Sequence, residues 1–193
     1  MTGIHSLAVF CGSRVGRKPD YAAAGRALGL GLAQADIRLV FGGGRIGIMG
    51  IVADAVLEAG GKVLGVIPEF LTQWEVAHEY VTEMVITDSM HTRKRRLYEE
   101  SDAFLIMPGG LGTFDEAFEI ITWRQLRLHD KPIMLCNVAG SAAPLVSVID
   151  HAIEQGFADP ACRGLFEVIE GVPAVLERLR TLPAGTRGQA ERL

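Results

Sequence analysis

Short, mainly apolar runs that break on glycine or proline, most of them followed by a segment of helical periodicity, constrain the fold of this chain more than any other feature. Leu7–Cys11 ends in Gly12-Ser13, Ile37–Phe41 runs into Gly42–Gly47, Lys62–Ile67 stops at Pro68, and Ala103–Met107 meets Pro108-Gly109. Runs of this length, apolar throughout in Leu7–Cys11 and Ala103–Met107 and apolar but for Arg38 and Lys62 in the other two, fit parallel strands covered on both faces. Further strands are predicted at Val81–Ile86, Pro132–Cys136 and near Phe166–Ile169. Helices are predicted from Pro19 to about Ala35, over Ile48–Ala59, from Asp88 or Ser89 to about Glu100, from the second glycine loop to about Leu128, after Pro144, and from about Pro173 to Arg180. Pro suits a first helical position and Gly60-Gly61 a helix end. The alternation predicts an α/β fold: a Rossmann-like, doubly wound, mainly parallel sheet flanked by helices, with ligands bound beyond the carboxyl ends of its strands. At 193 residues, one domain over residues 1–182 is expected, with a frayed polar tail at 183–193.

Composition excludes several classes. Net charge of −4 gives no basic footprint for nucleic acid. Three cysteines without C-x-x-C spacing suit a reducing compartment, and Cys11 and Cys136, in or beside buried strands, read as small packing residues. Neither a signal peptide nor a membrane span is visible, which points to a cytoplasmic protein. The five histidines form no H-x-x-E-H or i,i+4 pair, so no metal is expected. A G-x-S-x-G elbow is also missing.

Chemistry concentrates in Pro108-Gly109-Gly110-Leu111-Gly112-Thr113-Phe114-Asp115-Glu116, between a predicted strand and a predicted helix. A glycine turn there lets backbone N–H groups converge on an anion at a helix N-terminus. Glu116, expected in the helix's first turn, stands beside that anion site. The same letters have a second reading, since Thr113-x-x-Glu116 is a capping box. Gly42-Gly43-Gly44-Arg45-Ile46-Gly47 contains G-x-G-x-x-G, yet it follows the second strand rather than the first and lacks a well-spaced acid, which speaks against NAD. Strand, glycine loop, helix and strand thus occur twice, at Leu39–Ile67 and Phe104–Cys136, and two phosphate-friendly loops on one rim predict a nucleotide-sized cleft. Within Arg93-Lys94-Arg95-Arg96, Arg95/Glu99 and Arg96/Glu100 are i,i+4 pairs on a solvated face. Arg93 instead shares a stripe with Met90 and Leu97, and a guanidinium at the edge of a buried face usually has an anionic partner, either a structural carboxylate or a ligand.

Ser89-Met90-His91-Thr92-Arg93-Lys94 followed by the Pro108–Glu116 motif resembles the LOG ("lonely guy") family of cytokinin riboside 5′-monophosphate phosphoribohydrolases. So do Cys11-Gly12-Ser13, Gly42–Gly50, Glu75-Val76-Ala77-His78, Thr122-Trp123-x-Gln125-Leu126 and His129-Asp130-Lys131-Pro132. The resemblance covers roughly residues 5 to 160 and argues against the older label of lysine decarboxylase. It implies hydrolysis of the N-glycosidic bond of an adenine-type nucleoside 5′-monophosphate, cytokinin riboside 5′-monophosphate or AMP, to free base and ribose 5-phosphate, without a cofactor and by a homodimer. By motif match Arg93 and Glu116 take the catalytic positions, and Gly109, Gly110, Leu111, Gly112 and Thr113 the phosphate site. Lys94, Glu75, Thr122, Ser13, Gly43 and Gly44 fall at substrate-binding positions. Leu111 stands where plant members carry an aromatic residue, and Phe114-Asp115 replaces a Leu-Glu pair, which bears on substrate preference. Losing a base from ribose builds positive charge on the sugar. Glu116 could stabilise that charge, position water or attack the anomeric carbon. Two other readings stand beside this one: a nucleotide-sensing module that binds without cleaving, and a pyridoxal-phosphate decarboxylase using Lys94, which would lack a pyridinium partner.

Overall fold

The computed structural model describes residues 3–72 and 76–183. Glu75 and most of the expected tail lie outside them. In chain order the elements are β1 (Ser6–Phe10), α1 (Pro19–Gln34), β2 (Arg38–Phe41), α2 (Gly47–Glu58), β3 (Val63–Pro68), β4 (Glu83–Thr87), α3 (Met90–Glu99), β5 (Ala103–Ile106), α4 (Leu111–Gln125), β6 (Ile133–Asn137), α5 (Ala143–Glu154), β7 (Glu167–Glu170) and α6 (Gly171–Thr181). The strands form one sheet in the order β4-β3-β2-β1-β5-β6-β7, with every neighbouring pair parallel.

Alternate residues of each central strand feed two separate cores, because successive side chains of a strand point to opposite faces. Leu7 and Val9 of β1 join Leu39, Phe41 and Leu105 under α1, α2 and α6. Ala8 and Phe10 join Val40, Leu64, Phe104 and Leu135 under α3, α4 and α5. Both faces are dry, so every residue of β1 is buried, and each fully buried aliphatic side chain contributes about 2 kcal/mol. The edge strands β4 and β7 carry exposed Glu83, Glu167 and Glu170, which discourages further strand addition.

Chain direction across the sheet reverses at β1. From there β2, β3 and β4 are laid down to one side, and the chain then crosses back to place β5 on β1's other flank. The loops after β1 and β5 therefore open side by side at a topological switch point, where doubly wound sheets bind ligands.

Candidate active site

Helix α4 begins earlier than the capping-box reading requires. Gly110 is its N-cap and offers no side chain, so Leu111 is the first helical residue and Thr113 the third. Thr113 therefore does not cap, and Glu116 belongs to the second turn rather than the first. Thr113 is instead buried, and a Cβ on Gly109 would run into its side chain. The first helical bond runs from Phe114 N to Gly110 O at 3.0 Å, leaving the amides of Leu111, Gly112 and Thr113 outside the helical ladder. These three residues line a cavity of about 140 Å³ together with Gly110, Ser13, Cys11, Met49, Met90, Arg93, Asp115 and Glu116. Its wall thus combines an anion-favouring helix terminus with one guanidinium and two carboxylates, of which Asp115 is paired with Lys94 and Glu116 with Arg93.

Arg93 reaches that wall from α3, whose start is set by Ser89: its Oγ accepts from Thr92 N at 3.2 Å, choosing between the two expected caps. The stripe of Met90, Arg93 and Leu97 faces inward, and Arg93 is only 5% exposed. Its Nη2 lies 3.8 Å from Oε1 of Glu116 and 3.4 Å from Gly42 O, to which it donates. At that separation the two charges attract by about 4 kcal/mol for an effective dielectric of about 20. A Cβ on Gly42 would collide with Arg93 Nη2, so this glycine makes room for the guanidinium. The solvated pairs on the same helix form as expected, with Arg95–Glu99 and Arg96–Glu100 both at 2.9 Å.

The glycine loop at Gly42–Gly47 does not cradle an anion with the helix that follows it. Ile48 N and Met49 N, at the start of α2, both donate to Gly12 O at 3.0 and 3.4 Å, and Gly12 N donates to Pro108 O at 3.0 Å. Gly12 thereby stitches α2 to the phosphate-type loop. Gly43 and Gly44 instead hold the segment after Glu75: His78 N donates to Gly43 O at 2.9 Å, and Gly44 bridges Ala77. His78, buried, joins Asp54 at 3.0 Å from the other side.

A larger neighbouring cavity of about 680 Å³ shares Gly12, Ser13, Gly110 and Leu111 with the first, and Gly109 lines it too. Its wall also includes Phe114 of the motif, and Arg14, Lys18, Tyr21 and Ala139–Ser141, residues that sequence reasoning missed. Gly140, between the predicted strand Pro132–Cys136 and the helix after Pro144, marked a loop there, but nothing local linked it to Lys18, whose Nζ donates to Ala139 O at 2.8 Å. Leu111, at the lip of both cavities, is 87% exposed.

Other expected site residues fall elsewhere. Lys94 is paired with Asp115 at 2.8 Å and Glu119 at 3.4 Å on the flank of α4. Burial pulls its pKa down, but the Asp115 hydrogen bond and the Glu119 charge outweigh it and leave it raised. A Schiff-base lysine needs the neutral amine, so this environment opposes the decarboxylase reading. Thr122 is exposed on α4, outside both cavities. Cys11 is pushed far up by burial and by the Glu116 charge, and Cys136 up to about 12 by burial and Glu170. Both stay thiols and pack. Among the described residues no helix is long and apolar enough to cross a membrane.

A family model described as "Possible lysine decarboxylase" matches residues 49–179. The chain is 42% identical over 177 residues to a cytokinin riboside 5′-monophosphate phosphoribohydrolase of Rhodococcoides fascians, spanning 91% of this chain and 89% of that protein. The chain belongs to the LOG family. A second LOG-family relative, a cytokinin riboside 5′-monophosphate phosphoribohydrolase of Arabidopsis thaliana, is 44% identical over 176 residues, or 91% of this chain and 81% of that protein. The fold extends further than the LOG sequences do. The molybdenum cofactor binding protein of Rippkaea orientalis superposes with a TM-score of 0.68 at 20% identity, over 90% of this chain and 93% of that one.

Proposed function

We propose that this chain hydrolyses the N-glycosidic bond of an adenine-type nucleoside 5′-monophosphate, releasing the free base and ribose 5-phosphate. One observation carries the reading: Arg93 and Glu116, 3.8 Å apart, share a cavity with the N-terminus of α4. The 5′-phosphate docks on the amides of Gly110 to Thr113, where the helix dipole favours negative charge. That anchor, remote from the reacting carbon, supplies binding energy that orients the ribose toward Glu116. As the bond to the base stretches, positive charge develops on the sugar, and the carboxylate is placed to stabilise it. Arg93 holds that carboxylate in position and adds positive charge on the phosphate side of the cavity. Water adds to the anomeric carbon, the base leaves with a proton, and no cofactor enters the balance.

The names of the relatives support this substrate class. Both AMP and its N6-isopentenyl derivative belong to it, and the homodimer of the family belongs to the same reading. Purified protein incubated with each nucleotide, with products separated by chromatography, tests it: base and ribose 5-phosphate are expected. Nucleotide that binds and is recovered intact after long incubation would leave the sensing module in its place. Sedimentation velocity reads the dimer directly.

A further inference from the structure

Between α4 and β6 lies His129-Asp130-Lys131-Pro132, a stretch outside both cavities. We propose that His129 and Lys131 are positioning residues that tie α3 and α4 to one short loop and thereby set the spacing of Arg93 and Glu116. Lys131 is 1% exposed, and its Nζ donates to Tyr98 O, in the last turn of α3, at 2.6 Å. The ammonium lies 3.8 Å from the centroid of the Tyr98 ring and 5.8 Å from that of Phe104 on β5. His129, also buried, bonds Ile120 O of α4 through Nε2 at 2.9 Å. A carbonyl only accepts, so Nε2 carries the hydrogen of a neutral ring. The imidazole stands 5.5 Å from the Tyr98 ring, and Tyr98 meets Trp123 of α4 edge-on at 5.6 Å. From α4, Arg124 Nη1 donates back to Lys131 O at 3.3 Å.

Both leading bonds end on helix backbone, so they fix where each helix lies rather than where one side chain points. Tyr98 follows Arg93 by five residues, about 7.5 Å along α3, and Ile120 follows Glu116 by four, about 6 Å along α4. Over such lengths a helix moves as a rod, and displacement at the loop reaches the pair. Burying an ammonium is costly, and a methionine would fill the space without that cost. What the ammonium adds is direction: a bond to one carbonyl of one helix.

The proposal rests on the reading of Arg93 and Glu116 as the reacting pair, so wild-type turnover of AMP and N6-isopentenyl-AMP is measured first. Its absence would remove that reading, and this proposal with it. With turnover in hand, Lys131→Met is compared with Val175→Ala, a core truncation in α6 on the sheet's other face. Val175→Ala is expected to lower the melting temperature and Lys131→Met to change it little. Lys131→Met is expected to lower kcat by about tenfold or more with KM within about threefold, because the phosphate anchor is untouched while the pair is displaced. Val175→Ala is expected to keep kcat. A second pair reads the other arm: His129→Gln retains a donor near the Nε2 position and keeps kcat, whereas His129→Leu loses it. Equal kcat values for Lys131→Met and Val175→Ala, or for the two His129 variants, would overturn the proposal. So would loss of folding in both Lys131→Met and His129→Leu, since the loop would then be holding the fold rather than the site.

Discussion

Alanine at position 42 is expected to separate activity from stability. Gly42 follows β2 directly and is not among the residues with positive φ, so alanine takes up its backbone conformation without strain. Removing glycine's freedom from the unfolded chain should then stabilise the protein by about 0.4–1 kcal/mol. The new Cβ, however, would stand against Arg93 Nη2, with Met49 Sδ at 3.6 Å. The backbone has no reason to move, because the obstructing atom is the tip of a flexible side chain. Ordinary van der Waals separation requires the guanidinium to retreat by about 1 Å. Displacement of a catalytic group on that scale costs about 100-fold in rate, or about 2.7 kcal/mol of barrier. Steady-state kinetics on AMP and N6-isopentenyl-AMP, with thermal melts of the same preparations, should therefore show kcat/KM down about 100-fold and a melting temperature unchanged or higher. Gly43→Ala is the contrast. Its φ of +79° and a Cβ 3.0 Å from that of Ile67 predict a loss of stability. Wild-type kcat/KM in Gly42→Ala would refute the assignment of Arg93 to the site. A marked fall in its melting temperature would refute the view that only the guanidinium moves.

Glu116→Gln preserves shape and removes charge, so kcat should fall by about 10²–10³ while calorimetric affinity for AMP changes only a few-fold; unchanged kcat would remove Glu116 from the chemistry. Gly109→Ala drives a methyl group into Thr113 at the anion site and should raise KM for the nucleotide by about tenfold. The unphosphorylated nucleoside should be handled by this variant as by the wild type, and an equal penalty on both would place the phosphate elsewhere. Burial holds the His129 pKa at about 4, below its ordinary 6.5, so the unfolded chain takes up the proton first. The stability due to this neutral ring is complete above about pH 6.5 and is lost as pH falls toward about 4. Melting temperatures across that range should decline less steeply in His129→Gln than in the wild type, and parallel declines would refute the assignment.

The central strands were legible because a strand buried on both faces has to be apolar, as β5 is throughout and β1 is from Leu7 on, and because glycine or proline follows closely where β1, β2, β3 and β5 stop. What escaped was tertiary. Thr113-x-x-Glu116 reads as a cap only while the start of α4 is unknown; Gly110, an N-cap with no side chain, leaves no letter that says so. The glycines at 42–47 look like a phosphate loop, yet the amides of Ile48 and Met49 are spent on Gly12 O, a partner that exists only because β1 and β2 pair. The wall formed by Ala139–Ser141 becomes part of the cleft only once β5 and β6 lie beside β1. Arg93 is the instructive case. It sits on the helix after β4, an edge strand far from the switch point in sheet order, and nothing in strand spacing brings it to Glu116. The crossover from β4 to β5 must nevertheless carry α3 back over the sheet past the end of β2. A guanidinium set in that helix's apolar stripe is too costly to bury without an anion opposite. The stripe therefore predicted an anionic partner before it could say which, and Glu116, across the gap left open by Gly42, is that partner.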